Sequence, residues 1–100
     1  MLDFAQIARF DWDLGNTEKS LGKHGVSQRE AEEIFLDPGL LVLVDDKHSG
    51  EEPSYHAYGG TAAGRLLQAS FTTRRNATLI RVISARPMSR KERARYGQEA

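Results

Sequence analysis

The chain is predicted to fold as an α+β domain with two N-terminal helices, a four-stranded, mostly antiparallel sheet and a C-terminal helix. Three observations carry this. Ser27-x-x-Glu30 and Ser89-x-x-Glu92 are helix-start signatures, in which the serine and the glutamate each satisfy a backbone N–H that the first helical turn leaves open. Four β-rich runs lie between them, separated by glycine, proline and asparagine. Helices therefore flank a block of consecutive strands, a pattern of segregated layers.

Phe10-Asp11-Trp12-Asp13 reads as a short extended segment, after which Asp13 caps a helix with Leu14, Thr17 and Leu21 on one face and Gly25 as its terminator. Gly15 and Gly22 weaken that helix. The second helix starts at Ser27, carries Ala31, Ile34 and Phe35 as its apolar stripe, and ends at Asp37-Pro38-Gly39. Leu40 to Val44 is a buried strand, Asp45 to Pro53 a polar loop, and Tyr55 to Tyr58 a second strand. Gly59, Gly60 and Gly64 bracket a hairpin into Arg65 to Thr73, where Leu67, Ala69 and Phe71 face one side and Gln68, Ser70, Thr72 and Arg74 the other. Asn76-Ala77 turns the chain into the last strand, Thr78 to Ala85, which Pro87 stops. The final helix follows Ser89, with Ala94, Met88 or Tyr96 left to pack.

At 100 residues the chain is expected to be a single domain, 1–100, with a modest core. Its longest apolar run, Leu40 to Val44, is too short to span a bilayer, and the acidic Met1-Leu2-Asp3-Phe4 start is unlike a secretory signal. No membrane partner is expected. Cysteine is absent, which removes disulfides and thiolate chemistry and agrees with a reducing cytoplasm. The formal net charge is zero, yet residues 1–50 hold five Lys/Arg against ten Asp/Glu, and residues 51–100 nine against four. Such a basic half attracts phosphate whatever the total charge.

Arg74, Arg81 and Arg86 sit on or beside two neighbouring strands, so their guanidinium groups can converge on one phosphodiester. In a regular strand Arg81 and Arg86 point to opposite faces; a bulge or the Pro87 bend would reconcile them. Each arginine alone reads equally well as a surface cation paired with the acidic half. Arg90, Lys91, Arg93 and Arg95 on the last helix form a nucleic-acid face, a docking site for an acidic segment, or a solvated face. Of the imidazoles, His24, His48 and His56, none has metal-ligand spacing, and no zinc-helix, calcium-loop or cysteine-pair motif is present. No metal and no cofactor is expected. Asp45-Asp46 with Glu51-Glu52 is a carboxylate cluster of the kind that holds magnesium, in a polar loop that favours solvation. Lys23 and His24 precede Gly25, where they are either helix-terminating cations or acid–base groups. Nucleotide-binding and nucleophile-elbow motifs are missing.

The ordered set Phe10-Asp11-Trp12-Asp13, Lys23-His24-Gly25-Val26-Ser27, Glu30-Ala31, Asp37-Pro38, His48-Ser49, Gly64-Arg65, Phe71-Thr72-x-Arg74, Ile80 to Arg86 and Glu92-Arg93-x-x-Tyr96 resembles the BrnT toxin family over residues 10–96. The resemblance implies a RelE-like fold and an endoribonuclease toxin of a bacterial type II toxin–antitoxin pair. Such a toxin inhibits translation in the bacterial cytoplasm, is neutralised by a BrnA-like antitoxin, and meets operator DNA only through that antitoxin. The family's basic residues carry over onto Lys23, His24, Arg65, Arg74, Arg81 and Arg86. Relatives usually carry arginine where this chain has Gly60, and often a basic residue at Ser54; the hairpin Arg74 to Leu79 is also slightly longer than in many relatives, which would move Arg74 relative to Arg81, with Arg75 as the residue that could compensate.

On this reading the RNA 2′-hydroxyl attacks the adjacent phosphate without a metal. Arg81, Arg74 and Arg86 clamp the phosphate, His24 or Lys23 moves protons, and Arg65, Arg75, Arg90 and Arg93 bind RNA. The competing reading is a toxin-like binding module that has lost catalysis and acts through its antitoxin complex.

Overall fold

The computed structural model describes residues 9–12, 15, 21–46, 53–74 and 79–99. The expected Asp13 cap, Leu14, Thr17, His48, Glu51, Glu52, Arg75 and the Asn76-Ala77 turn lie outside them. Among the described residues the sheet has five strands and not four: β1 (Arg9–Trp12), β2 (Leu41–Val44), β3 (Ser54–Gly60), β4 (Leu66–Arg74) and β5 (Leu79–Pro87), in the order β1-β5-β4-β3-β2. β2 to β5 form the expected antiparallel meander. The added strand is the N-terminal extended segment, which pairs parallel to β5 with Arg9 opposite Leu79 and Asp11 opposite Arg81. Four residues with no neighbouring hairpin signal give no local sign of a partner some 70 positions away, so the sheet is mixed.

Helical residues 21–24 end where Gly25 takes a φ of 63° and its N–H donates to Leu21 O at 3.0 Å, the left-handed stop expected there. Next comes α1 (Gln28–Glu33), with both halves of its capping box formed by Ser27 and Glu30. It tightens into a 3₁₀ turn, Ile34–Leu36. Ala31 and Ile34 are fully buried, and Phe35 packs its ring between Phe10 and Phe71, at 5.3 and 5.2 Å. The 3₁₀ turn lies so close to β3 that a Cβ on Gly59 would meet Ile34 O at 2.9 Å, which requires glycine there. α2 (Arg90–Glu99) closes the chain, capped through Ser89 and Glu92 as expected. Met88 is buried and Tyr96 half-buried, whereas Ala94 is exposed and does not pack.

Val26, α1 and its 3₁₀ turn cover one face of the sheet, where Val26, Ala31 and Ile34 meet Ala57, Leu67, Ala69, Phe71, Ile80, Val82 and Ala85. Asp37 ties this layer to the rest: its carboxylate accepts from the N–H of Gly39 at 2.9 Å, the N–H of Gly60 at 2.7 Å and the hydroxyl of Tyr96 on α2. Burial pushes the Asp37 carboxyl up, but the Tyr96, Gly60 and Gly39 donors outweigh it and the net shift is downward. The same contact, with burial, pushes the Tyr96 hydroxyl up to about 12.

Glu30 is also held below the ordinary 4.5, by the Ser27 N–H first and by Arg65 against an opposing burial. Glu92 is held below 4.5 by Arg86 first. Depressed carboxylates contribute stability above their unfolded values, and it is lost as pH falls through the folded ones. The urea midpoint should therefore hold at neutral pH and drop below about 4.5, with Glu92→Gln removing part of that slope; an acid-insensitive midpoint would contradict these contacts. Tyr96 adds an alkaline loss between the ordinary 10.0 and about 12.

Candidate functional site

The other sheet face carries the polar set of β4, and one irregularity organises it. Ser70 pairs with Ser84 and Phe71 with Val82, so Ile83 is an extra residue, a β-bulge in β5. On the Val82 side of the bulge Ile80 and Val82 join the core; beyond it Ala85 does. The alternation therefore slips by one, and Arg86 turns to the face that Arg81 occupies. Register places Arg81 opposite Thr72, Ser84 opposite Ser70 and Arg86 opposite Gln68, while Arg74 continues the same row of β4. The structure thus brings Arg74, Arg81 and Arg86 to one face, with the bulge rather than the Pro87 bend as the cause.

Each of these cations already has company. Arg81 Nε lies 3.4 Å from Asp11 Oδ2 across the parallel β1 pairing, at partly exposed positions. Arg86 holds Glu92 through both terminal nitrogens, at 2.7 and 2.8 Å, and donates to Pro87 O at 3.1 Å. The Glu92 carboxylate raises the Arg86 guanidinium further above its already high value. Arg74 also has a partner within the chain.

Arg65 is placed elsewhere. It precedes β4, where its NH1 donates to Gly25 O at 2.8 Å and Glu30 Oε2 at 3.1 Å, and its NH2 to His24 O at 3.3 Å. This locks the terminated helix and the α1 cap to the β3–β4 hairpin. Lys23 and His24 therefore belong to the Leu66 end of β4. Arg81 lies opposite Thr72, six residues further along that strand, or roughly 20 Å at the usual rise. Arg81 and Arg74 therefore lie far along β4 from His24 and Lys23, whereas Arg86, opposite Gln68, belongs to the nearer end.

Arg90 and Arg93 are exposed on α2, where Arg93 NH1 donates to Met88 O at 2.9 Å. Lys91 and Arg95 of the same helix line a cleft of about 310 Å³ with Leu41, Tyr58 and Glu92. The two positions at which the resemblance leads one to expect cations, Ser54 and Gly60, are structurally distinct. Ser54 sits on the arginine face opposite Thr72, and Gly60 lies at the hairpin, where its N–H donates to Asp37.

Beside the arginine row lies an imidazole noted in the sequence but given no role there. His56 on β3 faces Ser70 on β4, and its ring contacts Asp45, Ser70 and Gln68. Asp45 looked like part of a solvated acidic loop; it is 9% exposed. The signal available in the sequence was a polar residue at a strand position whose partner became known only with the register. Among the described residues no cluster of three or more His, Asp or Glu is spaced to hold a metal ion.

A helix-backed sheet whose other face gathers arginines and hydroxyls around a bulge defines the class, a small α+β protein with a basic sheet face. Comparison with known proteins gives the class a family. The family model for the BrnT ribonuclease toxin of type II toxin–antitoxin systems matches residues 12–92, and the chain belongs to that family. The fold is similar to that of the Brucella abortus ribonuclease toxin BrnT, solved as a 1.1 Å-resolution crystal structure. That match has a TM-score of 0.60 at 20% identity and covers 82% of this chain and 97% of that one. No curated protein matches significantly. No helix among the described residues is long and apolar enough to cross a membrane.

Proposed function

We propose that this chain is an active endoribonuclease toxin that cleaves RNA without a metal ion, inhibits translation in the bacterial cytoplasm and is neutralised by a BrnA-like antitoxin. The chain would act as one domain. RNA brings its own nucleophile, so the protein's task is to hold the phosphate, stabilise the charge that develops on it and move protons. Arg81, Arg74 and Arg86 form the clamp, and Arg90, Arg93, Arg65 and Arg75 extend the RNA surface. The observation that carries this reading is the bulge at Ile83, because it turns Arg86 to the side of Arg81 and gives the face two cations from one strand. Among the proton-transfer candidates, His24 and Lys23 are supported less well than the clamp, since they lie at the Leu66 end of β4, away from Arg81 and Arg74.

A binding module that has lost catalysis is the second reading. It is favoured by the carboxylates already set against Arg81, Arg86 and Arg65, together with the absence of a cation at Gly60 and Ser54. Such a chain would reach operator DNA only through its antitoxin.

Purified protein on an RNA strand and on its 2′-deoxy counterpart, each with and without EDTA, separates the possibilities. Cleavage of RNA alone, unaffected by EDTA and leaving 2′,3′-cyclic ends, is the expected result. Loss with EDTA, or equal cleavage of the deoxy strand, would sink the mechanism.

A further inference from the structure

The N–H of Asp45 donates to Ser54 O at 2.8 Å, and the Asp45 Oδ2 stands 3.2 Å from His56 Nε2. On the other side of the ring, Nδ1 lies 2.8 Å from Gln68 Nε2 and 3.0 Å from Ser70 Oγ. Gln68 Nε2 also donates to Ser70 Oγ at 3.2 Å. An amide NH₂ only donates, so Nδ1 turns its lone pair to Gln68 and Ser70, and the neutral ring carries its proton on Nε2, towards Asp45. An imidazole whose N–H is held by a buried carboxylate and whose basic nitrogen meets a hydroxyl is arranged to accept a proton. The carboxylate fixes the tautomer and stabilises the imidazolium that forms.

We propose, resting on the ribonuclease reading above, that His56 is the proton acceptor for the attacking 2′-hydroxyl of bound RNA, with Ser70 as relay and Asp45 as positioning residue. Asp45, His56, Ser70, Thr72 and Ser84 line a cleft of about 360 Å³ on the arginine face. That volume lies within the range of small-ligand sites, about 300–1,000 Å³. Ser70 occupies the row of β4 midway between Gln68 and Thr72, the partners of Arg86 and Arg81, so a phosphate over Ser70 and Ser84 has a guanidinium-bearing position on either side.

In the proposed step the Gln68 amide gives up its share of the Nδ1 lone pair, and the 2′-hydroxyl gives its proton to Ser70 Oγ as the Ser70 proton passes to His56 Nδ1. The O2′–P bond forms, the P–O5′ bond breaks, and the departing 5′-oxygen takes a proton from water, whose hydroxide is neutralised by the proton that His56 then releases. Although Asp45, Gln68 and Ser70 satisfy the ring internally, the His56 side chain stays 31% exposed and lines the cleft, where a ligand can reach it.

The test compares the wild type with His56→Ala, Ser70→Ala and Asp45→Asn on an RNA oligonucleotide, measuring kcat and KM with and without added imidazole. His56→Ala should lower kcat by roughly 100-fold or more with KM little changed, and imidazole should restore part of the loss. Ser70→Ala and Asp45→Asn should lower kcat by less. Thermal melting reports whether each variant folds; if His56→Ala does not, His56→Gln takes its place and the same kcat loss is expected. A folded His56 variant with undiminished kcat overturns the proposal, as does a loss in folded His56→Ala that imidazole leaves untouched. Either outcome leaves the ribonuclease reading standing. A wild type that cleaves no RNA overturns both.

Discussion

Arg81→Ala is expected to abolish the growth arrest caused by induced expression and to lower RNA cleavage by about 100- to 1,000-fold, the usual consequence of removing one donor aimed at developing transition-state charge. Stability should hardly change. The guanidinium meets Asp11 at 3.4 Å with both side chains partly exposed, and such a pair contributes at most about 1 kcal/mol. Asp11→Asn separates the two roles, because it breaks the same pair while leaving the arginine in place. It should keep or raise activity. If Asp11→Asn instead reproduced the loss, Arg81 would act by anchoring β1, and if Arg81→Ala still arrested growth, the clamp would lie elsewhere.

Phe71→Ala is expected to destabilise the fold by about 3–5 kcal/mol, a large share of the roughly 5–15 kcal/mol available to a small domain. Phe71 is fully buried at the centre of β4, stacked on Tyr55 at 5.2 Å and edge-on to Phe35 at 5.2 Å, and the rigid sheet around it leaves little room for collapse onto the gap. Leu36, 84% exposed, provides the comparison: Leu36→Ala should fall within about 0.5 kcal/mol of the parent. Urea titration reads both. A Phe71→Ala shift no larger than that of Leu36→Ala would mean that the aromatic cluster does not form the core.

The elements most legible in the sequence were those whose signals are local. Both capping boxes, the Gly25 stop, the alternation of β4 and the hairpin glycines each depend on residues within a turn or a strand of one another, and all appear in the structure. The fifth strand was not legible, because Arg9–Trp12 acquires its meaning from β5, which comes much later in the chain. The site divides in the same way. The basic row of Arg74, Arg81 and Arg86 could be named from composition and strand spacing, and a bulge could be named as one way to align it. Where the bulge falls depends on how β4 and β5 register, and so on which side chains the core accepts.

His56 shows the limit most clearly. In sequence it is one polar residue in an aromatic-rich strand, fourteen positions from Ser70 and eleven from Asp45. The sequence by itself determined the α+β class, the starts of α1 and α2, the Gly25 stop, the buried face of β4 and the basic character of the second half, since propensity, capping and periodicity are short-range properties. Only the tertiary structure decided the parallel β1 edge, the common face of Arg81 and Arg86, the separation of His24 from Arg81 and the Asp45–His56–Ser70 contact. Those depend on strand register, which is set when the whole apolar face is buried at once and a slip of one residue would turn every side chain over.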